Sequence, residues 1–388
     1  MTGARLRILF LSPQPFFEVR GTPLAVLAMV RALAALGHEV DLLTYPQGAA
    51  VELAPVRHLR SPRLPVGRVR AGPSLAKLLL DVPFMAEAAW RMARGRYDVV
   101  HAVEEAAHLA APLARLFRLP LVVDVDSSIP EQLRESGFAR RGPLLWAAEA
   151  LEEHALRHSA AVITVCESLT RSVRARAPHA RVFQVEDPPL VDARELPPSA
   201  AGAELRASLG LADAPVVLYS GNFEPYQGVD LLVDAAARVR EAQFLFMGGE
   251  PAEVARMAAR AAAAGGRCVF AGKRPVVELP RFLAAADVLV SPRRTGANTP
   301  FKVYTYLASG KPLVATRIAT HTQLLDDTLA VLTEPTAEGL AAGVRQVLAE
   351  PETAAARADR GRRLIERDYS PARFAEKVRR AYDAIGGA

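Results

Sequence analysis

The sequence has little from which to build a disulfide framework or a membrane span. Only 2 of its 388 residues are cysteine. Cys166 and Cys268 sit in the strand-like runs AVITVCESL and GRCVFAG, which reads as two reduced core thiols. No run of about 18 uncharged apolar residues occurs, so no segment is expected to cross a bilayer. The N-terminal MTGARLRILFLSPQPFF carries an apolar stretch, ILFL, too short for a secretory signal; a first buried strand in a cytoplasmic protein is expected instead. The first loop lacks GxGxxG, and no ribose-binding acid follows at the expected distance, which argues against a nicotinamide dehydrogenase.

What is present is apolar bulk: 51% of the chain is hydrophobic, enough for two domains of about 100–200 residues, each with its own core. The formal net charge of +6 comes mainly from arginine, much of it in VRHLRSPRLPVGRVRAG (56–72) and WRMARGRYD (90–98). Two readings stand: solvated arginines, or attraction to anionic lipid head groups or a phosphate-bearing acceptor. The second would put a cytoplasmic protein at the inner face of the plasma membrane. Nucleic acid is not an expected partner, because no aromatic-basic interleaving or helix-turn-helix pattern accompanies the charge.

Short β-branched runs alternate with longer Ala/Leu/Arg stretches, as parallel α/β units require. Strands are expected at 7–12, 39–45, 98–103, 121–126, 161–166 and 181–187. After the proline-containing linker EDPPLVDARELPPSA (186–200) a second series follows at 215–221, 242–248, 267–272, 287–292 and 312–316. Helices fall between, including 23–37, 229–241 and 278–286. The last, SPARFAEKVRRAYDAIGG (370–387), has Ser370 as cap, Pro371 at its first position and Phe374, Val378 and Tyr382 at spacing four. Periodicity alone does not say which domain it packs on. The expected class is α/β: two Rossmann-like domains facing across a cleft, residues 1–190 and 191–365, with ligands in the cleft.

Three loops have the form strand, glycine, helix start, where backbone amides and the helix dipole favour an anion. SPQPFFEVRGTP (12–23) offers Arg20, Gly21 and Thr22, with an ordinary turn as the alternative. YSGNFEPYQGVDLL (219–232) is punctuated by Gly221, Pro225 and Gly228, with a purely structural crossover as the alternative. In RRTGANTPFKVYTYLASG (293–310), Asn298 or Thr299 can cap, Pro300 fits the first turn and Gly310 ends the helix. Lys302 then stands near the positive helix end, where a diphosphate can be held without metal; the competing reading is a solvated surface lysine.

The order and spacing of PQPFFEVRGTP, DVVHAVEEA, SGNFEPYQGVDLL, VFAGKRPVVELPRFLAAADVLVSP and NTPFKVYTYLASGKPLVATRIATHTQLL resemble the retaining glycosyltransferases of the GT-B fold, family 4. The resemblance covers nearly the whole chain and is more specific in the second half. It implies a nucleotide-diphosphate sugar donor bound mainly by the second domain. The acceptor hydroxyl, of a glycan, lipid-linked sugar or small molecule, belongs mainly to the first. It also implies a last helix, 366–388, crossing back to the first domain, and no metal or other cofactor. By position, Gly21 meets donor phosphate and acceptor, and Gly221 with Asn222 and Gln227 lies beside the diphosphate. Lys273 and Arg274, on to Val276, line the base. Residues 297–305, among them Asn298, Thr299, Pro300, Phe301, Lys302 and Thr305, contact sugar, phosphate and ribose.

Departures from the family accompany the match. Arg and Lys are frequent where this chain has Asn222 and Gln227, the usual glutamate pair falls on Ala297 and Thr305, and the second histidine of HxH falls on Val103. In retaining transfer without a covalent intermediate the departing diphosphate takes the acceptor proton, so charge stabilisation there sets the barrier; one lost donor costs about 3–4 kcal/mol. Arg20, Lys273, Arg274, Arg293, Arg294 and Lys302 offer compensation, and Thr305 can bond a ribose hydroxyl. The catalytic candidates are His101, Glu104 and Asp126. Against them stand a core histidine for His101 and a helix cap for Asp126, while His321 is read as orienting a loop. A retaining glycosyltransferase for envelope polysaccharide, glycolipid or secondary-metabolite glycoside is the expected function. A catalytically silent relative and a nucleotide-sugar epimerase are the alternatives.

Overall fold

The computed structural model describes residues 5–18, 21–65, 75–135, 142–191, 193–211 and 213–386. Its contacts fall into two compact units, Met1–Asp187 with Ala372–Ala388, and Pro188–Pro371.

The first unit is a seven-stranded sheet of β1 (Arg7–Ser12), β2 (Glu39–Thr44), β3 (Arg57–Arg60), β4 (Val99–Val103), β5 (Leu121–Val125), β6 (Ala161–Thr164) and β7 (Val182–Gln184). The order is β3-β2-β1-β4-β5-β6-β7, with every pair parallel. A parallel sheet is covered on both faces, so its strands read as unbroken apolar runs. In β1 the four residues Ile8 to Leu11 are all fully buried. Leu9 and Leu11 enter one core, Ile8 and Phe10 the other, as the two-residue period dictates. The helix Pro371–Gly386 packs on the Ile8 side, where Phe374, Val378 and Tyr382 are all buried.

The second unit holds β8 (Val216–Ser220), β9 (Gln243–Met247), β10 (Cys268–Gly272), β11 (Val288–Ser291), β12 (Leu313–Thr316) and β13 (Val331–Thr333). They form a parallel sheet ordered β10-β9-β8-β11-β12-β13. In each sheet the chain first winds outward, then returns to the other side of its starting strand. The order therefore switches between β1 and β4, and between β8 and β11. At such points the loops after two neighbouring strands part and leave room for a ligand at the carboxyl ends.

The outer strands β3 and β13 lie outside the sequence expectation. Val331–Thr333 is only three residues long. RHLR of β3 carries two of the arginines read as solvated. Arg57 pairs with Asp41 of the neighbouring strand, and Arg60 donates to the carbonyls of Pro46, Phe16 and Ala49 at 3.1, 3.3 and 2.9 Å. These two cations hold the sheet edge. Residues 66–72 of that stretch lie outside the described residues. Both cysteines are free thiols, and burial pushes Cys268 up to about 12.

Candidate functional site

The second unit gathers its candidates at the β8/β11 switch. Gly221 follows β8 with φ 145°, and a side chain there would begin 2.7 Å from the Lys302 ammonium and 3.1 Å from the Tyr219 hydroxyl. Lys302 is the second residue of the helix Phe301–Ala308. Its Nζ donates to Gln227 Oε1 at 3.1 Å and lies 4.0 Å from the centroid of the Tyr219 ring. No carboxylate among the described residues pairs with it. Desolvation, and after it the nearby Arg293 cation, hold its pKa well below the usual lysine range. An ammonium partly stripped of water, facing a ring and an amide, gains most from an incoming anion.

The helix behind Lys302 begins differently from the sequence expectation. Pro300 is its N-cap, with φ −64° and ψ 128°, and makes no side-chain cap hydrogen bond. Asn298 is held elsewhere: its backbone and side-chain oxygens accept from the Arg293 guanidinium at 3.0 and 3.2 Å. Thr299 and Pro300 are buried and Phe301 half-buried. The positive end of the helix thus stands beside Lys302, and its N-cap residue supplies no side-chain cap.

Two expectations for this region are corrected, those for Thr305 and for Arg293 with Arg294, and Asn222 is placed. Thr305 is 1% exposed and its hydroxyl accepts from the Leu190 amide at 2.9 Å, so it is a buried packing contact and offers nothing to a ribose. Asn222 turns its side-chain oxygen to the Glu224 amide at 3.3 Å, closing a local turn. Arg293 and Arg294 are not loose cations. The first is buried over the Tyr226 ring with its guanidinium bonded into its own loop, and the second pairs with Asp230 at 2.8 Å. Lys273 and Arg274 follow the edge strand β10, two strands from the switch. Both are exposed, Lys273 bonded to Glu250 at 3.2 Å and Arg274 to the Ala271 carbonyl at 3.0 Å.

His321 orients a loop. Its Nδ1 lies 2.8 Å from the Thr316 carbonyl, which can only accept, so Nδ1 carries the proton and Nε2 accepts from Ser291 Oγ, also at 2.8 Å. Thr316 in turn donates to the Arg293 carbonyl. This buried relay ties Arg293, at the start of the loop after β11, to the end of β12. Tyr219 and Tyr306 are additions to the sequence candidates; the Tyr306 hydroxyl accepts from the Ser220 amide at 2.7 Å. Their signal in the sequence was a tyrosine within a largely apolar run, VVLYSG and VYTYLAS.

In the first unit the switch between β1 and β4 is built around Glu104. This residue has φ 49° and ψ −128°, a backbone state that L-residues rarely adopt and that is retained at a cost of about 1–3 kcal/mol. Its carboxylate accepts from Ser127 Oγ at 2.6 Å and from Gln14 Nε2 at 3.1 Å, and Gln132 supports Ser127 at 2.6 Å. Burial, then Glu105 beside it, raise its pKa to about 6. Asp126, directly after β5, is buried and pushed well above the usual range by burial, then by Asp124, Asp187 and Glu104. At Gly21 an added side chain would meet nothing within 4 Å, so packing does not require glycine there. Gly21 opens the helix Gly21–Ala35, and Thr22, its next residue, is half-buried. Arg20 lies outside the described residues.

His101 is corrected as a catalytic candidate. It is fully buried inside β4, stacked on Phe10 at 4.1 Å, with its ring nitrogens 2.7 Å from the Tyr382 hydroxyl and 3.1 Å from Asp124 Oδ2. Both nitrogens are engaged and neither faces a strand end. It ties the last helix to the sheet.

Two doubly wound parallel units, the second with an anion-suited switch point, define a class of α/β protein in which solved glycosyltransferases abound. The sucrose-phosphate synthase of Thermosynechococcus elongatus superposes with TM-score 0.80 at 22% identity, over 97% of this chain and 98% of that one. The Anabaena protein Alr3699/HepE in complex with UDP-glucose gives TM-score 0.80 at 18% identity, over 98% and 100%. At those identities the likeness is one of fold. Among curated proteins, the alpha-D-kanosaminyltransferase of Streptomyces kanamyceticus is 27% identical over 288 residues, 71% of this chain and 73% of that protein. Residues 20–188 match the family described as Glycosyl transferase 4-like domain, and residues 214–350 match Glycosyl transferases group 1. With one match in each unit, the chain belongs to the GT-B glycosyltransferases of family 4 type.

Proposed function

We propose that this glycosyltransferase moves a hexose-type sugar from a nucleotide-diphosphate sugar to an acceptor hydroxyl, with retention and without a metal. The observation that carries the reading is the Lys302 ammonium, beside a helix start whose N-cap residue supplies no side-chain cap and against Gly221. Positive charge there, with no carboxylate among the described residues to neutralise it, stabilises a departing diphosphate without a divalent cation. Glu104 in the first unit is the candidate for an acceptor contact, since its carboxylate is desolvated and already fixed by Ser127 and Gln14. The acceptor class remains a polysaccharide, glycolipid or small-molecule hydroxyl. The Anabaena complex supports a nucleotide sugar as donor by analogy of fold.

A thermal-shift screen of UDP-, GDP- and dTDP-sugars tests this, followed by Lys302→Ala on each hit and by turnover in EDTA. Loss of both binding and turnover in the variant, with wild-type turnover surviving EDTA, is expected. A variant equal to wild type overturns the placement of the diphosphate, and turnover abolished by EDTA overturns the metal-free chemistry. The thinning of the polar set at Asn222 and Thr305 favours one other reading, a silent relative that binds donor without releasing nucleotide under any acceptor mixture. An epimerase would instead convert donor alone.

A further inference from the structure

The helix Leu75–Arg94 is apolar on both sides. Its inner side supplies Leu80, Phe84, Ala88 and Met92 to the core, at spacing four. Its outer side carries Leu78, Leu79, Val82 and Trp90 at 63, 58, 70 and 49% exposure. The other exposed positions of the helix are Ala86, Ala93 and Arg94, and Glu87 and Arg91 stand half-buried between them in an ion pair at 2.6 Å. Helices that face water are polar outside; one whose outward positions are mostly large and apolar requires a covering. The neighbouring helix Glu105–Leu116 packs on it, and Pro143–Arg157 packs on that. All three lie over the sheet face of Leu9 and Leu11. The third helix exposes Trp146 at 71%. Both tryptophans of the chain thus stand outward on one helical layer.

Charge names the occupant. The first unit carries the whole formal excess of +6 and the second is balanced, but part of that excess lies on the helix Pro371–Gly386 over the other sheet face; on this layer the cations that bear on the occupant are Arg91 and Arg94, at the Trp90 end. The Trp90 ring has the guanidinium carbons of Arg94 and Arg91 at 5.4 and 5.7 Å. An indole flanked by guanidiniums, at the end of an uncharged stripe, suits the head-group boundary of a bilayer, with the leucines in the acyl region and the cations at phosphate depth. Among the described residues no helix is long and apolar enough to cross a membrane. We propose that this layer seats the first unit on a bilayer surface carrying anionic head groups, with Leu78, Leu79, Val82 and Trp90 inserted and Trp146 as a second anchor. The proposal is independent of the donor site.

The test uses the full chain and vesicles of phosphatidylcholine, with and without phosphatidylglycerol. Trp146→Phe leaves Trp90 as the sole indole. Its emission is expected to shift to the blue on anionic vesicles and to be quenched by brominated acyl chains, with flotation weakened by salt. Val82→Glu, at an exposed position where the fold has nothing to lose, is expected to keep its melting temperature and to bind vesicles at least about tenfold more weakly. Three results overturn the proposal. One is no flotation at low salt. Another is flotation with Trp90 emission unchanged, which is surface charge alone. The third is a wild-type dimer that Val82→Glu converts to monomer, which assigns the face to a second copy of the chain.

Discussion

The ammonium of Lys302 stands 4.0 Å from the centroid of the Tyr219 ring, while that tyrosine's hydroxyl is turned away onto the Asn222 carbonyl at 2.6 Å. The lysine is thus steadied by a ring face and by Gln227, neither of which carries charge. With burial and Arg293 holding its pKa low, part of the population is neutral at alkaline pH. An arriving phosphate raises that pKa again. Binding of UDP, used as the probe, is therefore expected to take up protons. Calorimetry in two buffers of different ionisation enthalpy measures this at alkaline pH. Lys302→Met is expected to abolish the uptake and weaken binding by about tenfold or more. Identical heats in the two buffers would remove the coupling between this lysine and the nucleotide.

Thr305 invites a restoration experiment, since the resemblance places a glutamate there. The surroundings argue against it. The residue is 1% exposed and engaged with Leu190, so Thr305→Glu overfills a closed space and buries a carboxylate. A loss of about 1–3 kcal/mol is expected from crowding, before the charge is counted. It is read as a lower melting temperature with no gain in preference for ribose over deoxyribose nucleotides. A stable variant with tightened ribonucleotide binding would mean that the pocket opens to ligand.

The role proposed for Glu104 couples strain to chemistry. Glycine tolerates φ 49° and ψ −128° without penalty. Glu104→Gly relieves that strain but gives up the bonds from Ser127 and Gln14, so the melting temperature is expected to change little while transfer activity falls. Glu104→Gln keeps the backbone strain and removes the charge. If the ionised carboxylate is needed, wild-type activity falls as pH drops through about 6, and the glutamine variant loses that limb along with most of its rate. An acid limb that survives in Glu104→Gln belongs to another group, Asp126 and Asp187 being the neighbours to examine.

Much of this was legible in the sequence because parallel sheets write themselves as apolar runs. RILFLS and VVLYS are strands by composition alone, and Gly221 and Pro300 punctuate the loops that reach the switch points. Less legible was which polar side chains the fold had already engaged. His101 reads like a catalytic histidine beside Glu104, yet its partner Tyr382 comes from the far end of the chain. Thr305 and Leu190 are likewise joined across a long sequence separation. A two-residue alternation cannot reveal such pairs, because it reports which face a side chain takes and not what meets it there. Strands β3 and β13 escaped for a different reason: one is written largely in arginine, the other is too short to show a period.

If His101 is structural, Tyr382→Phe discriminates. It removes one buried hydrogen bond, at 2.7 Å, and leaves the ring stack in place. A loss of about 1–3 kcal/mol of stability is expected, seen as a lower denaturation midpoint, with kcat and KM unchanged at temperatures where the variant is folded. A folded variant whose kcat drops with no loss of stability would return His101 to the catalytic set.

His321 gives a pH signature with a definite sign. Burial holds its pKa at about 4, against 6.5 for a free imidazole, so the folded chain binds fewer protons than the unfolded chain between those values. The stability this supplies is present above pH 6.5 and is lost as pH falls toward 4. His108, buried near Arg176 and also held at about 4, acts in the same direction. Glu104 and Asp187, raised to about 6 and about 8, act oppositely, their contribution being lost as pH rises. Wild type against His321→Gln isolates the one group. The variant is expected to be less stable at pH 7 by about 1–3 kcal/mol, from the broken relay to Ser291 and Thr316. Its melting temperature should fall less steeply on acidification, so that the two curves converge near pH 4. Parallel curves across that window would show that the imidazole titrates alike in the folded and unfolded chain, and that Arg293 is held by something other than a neutral His321.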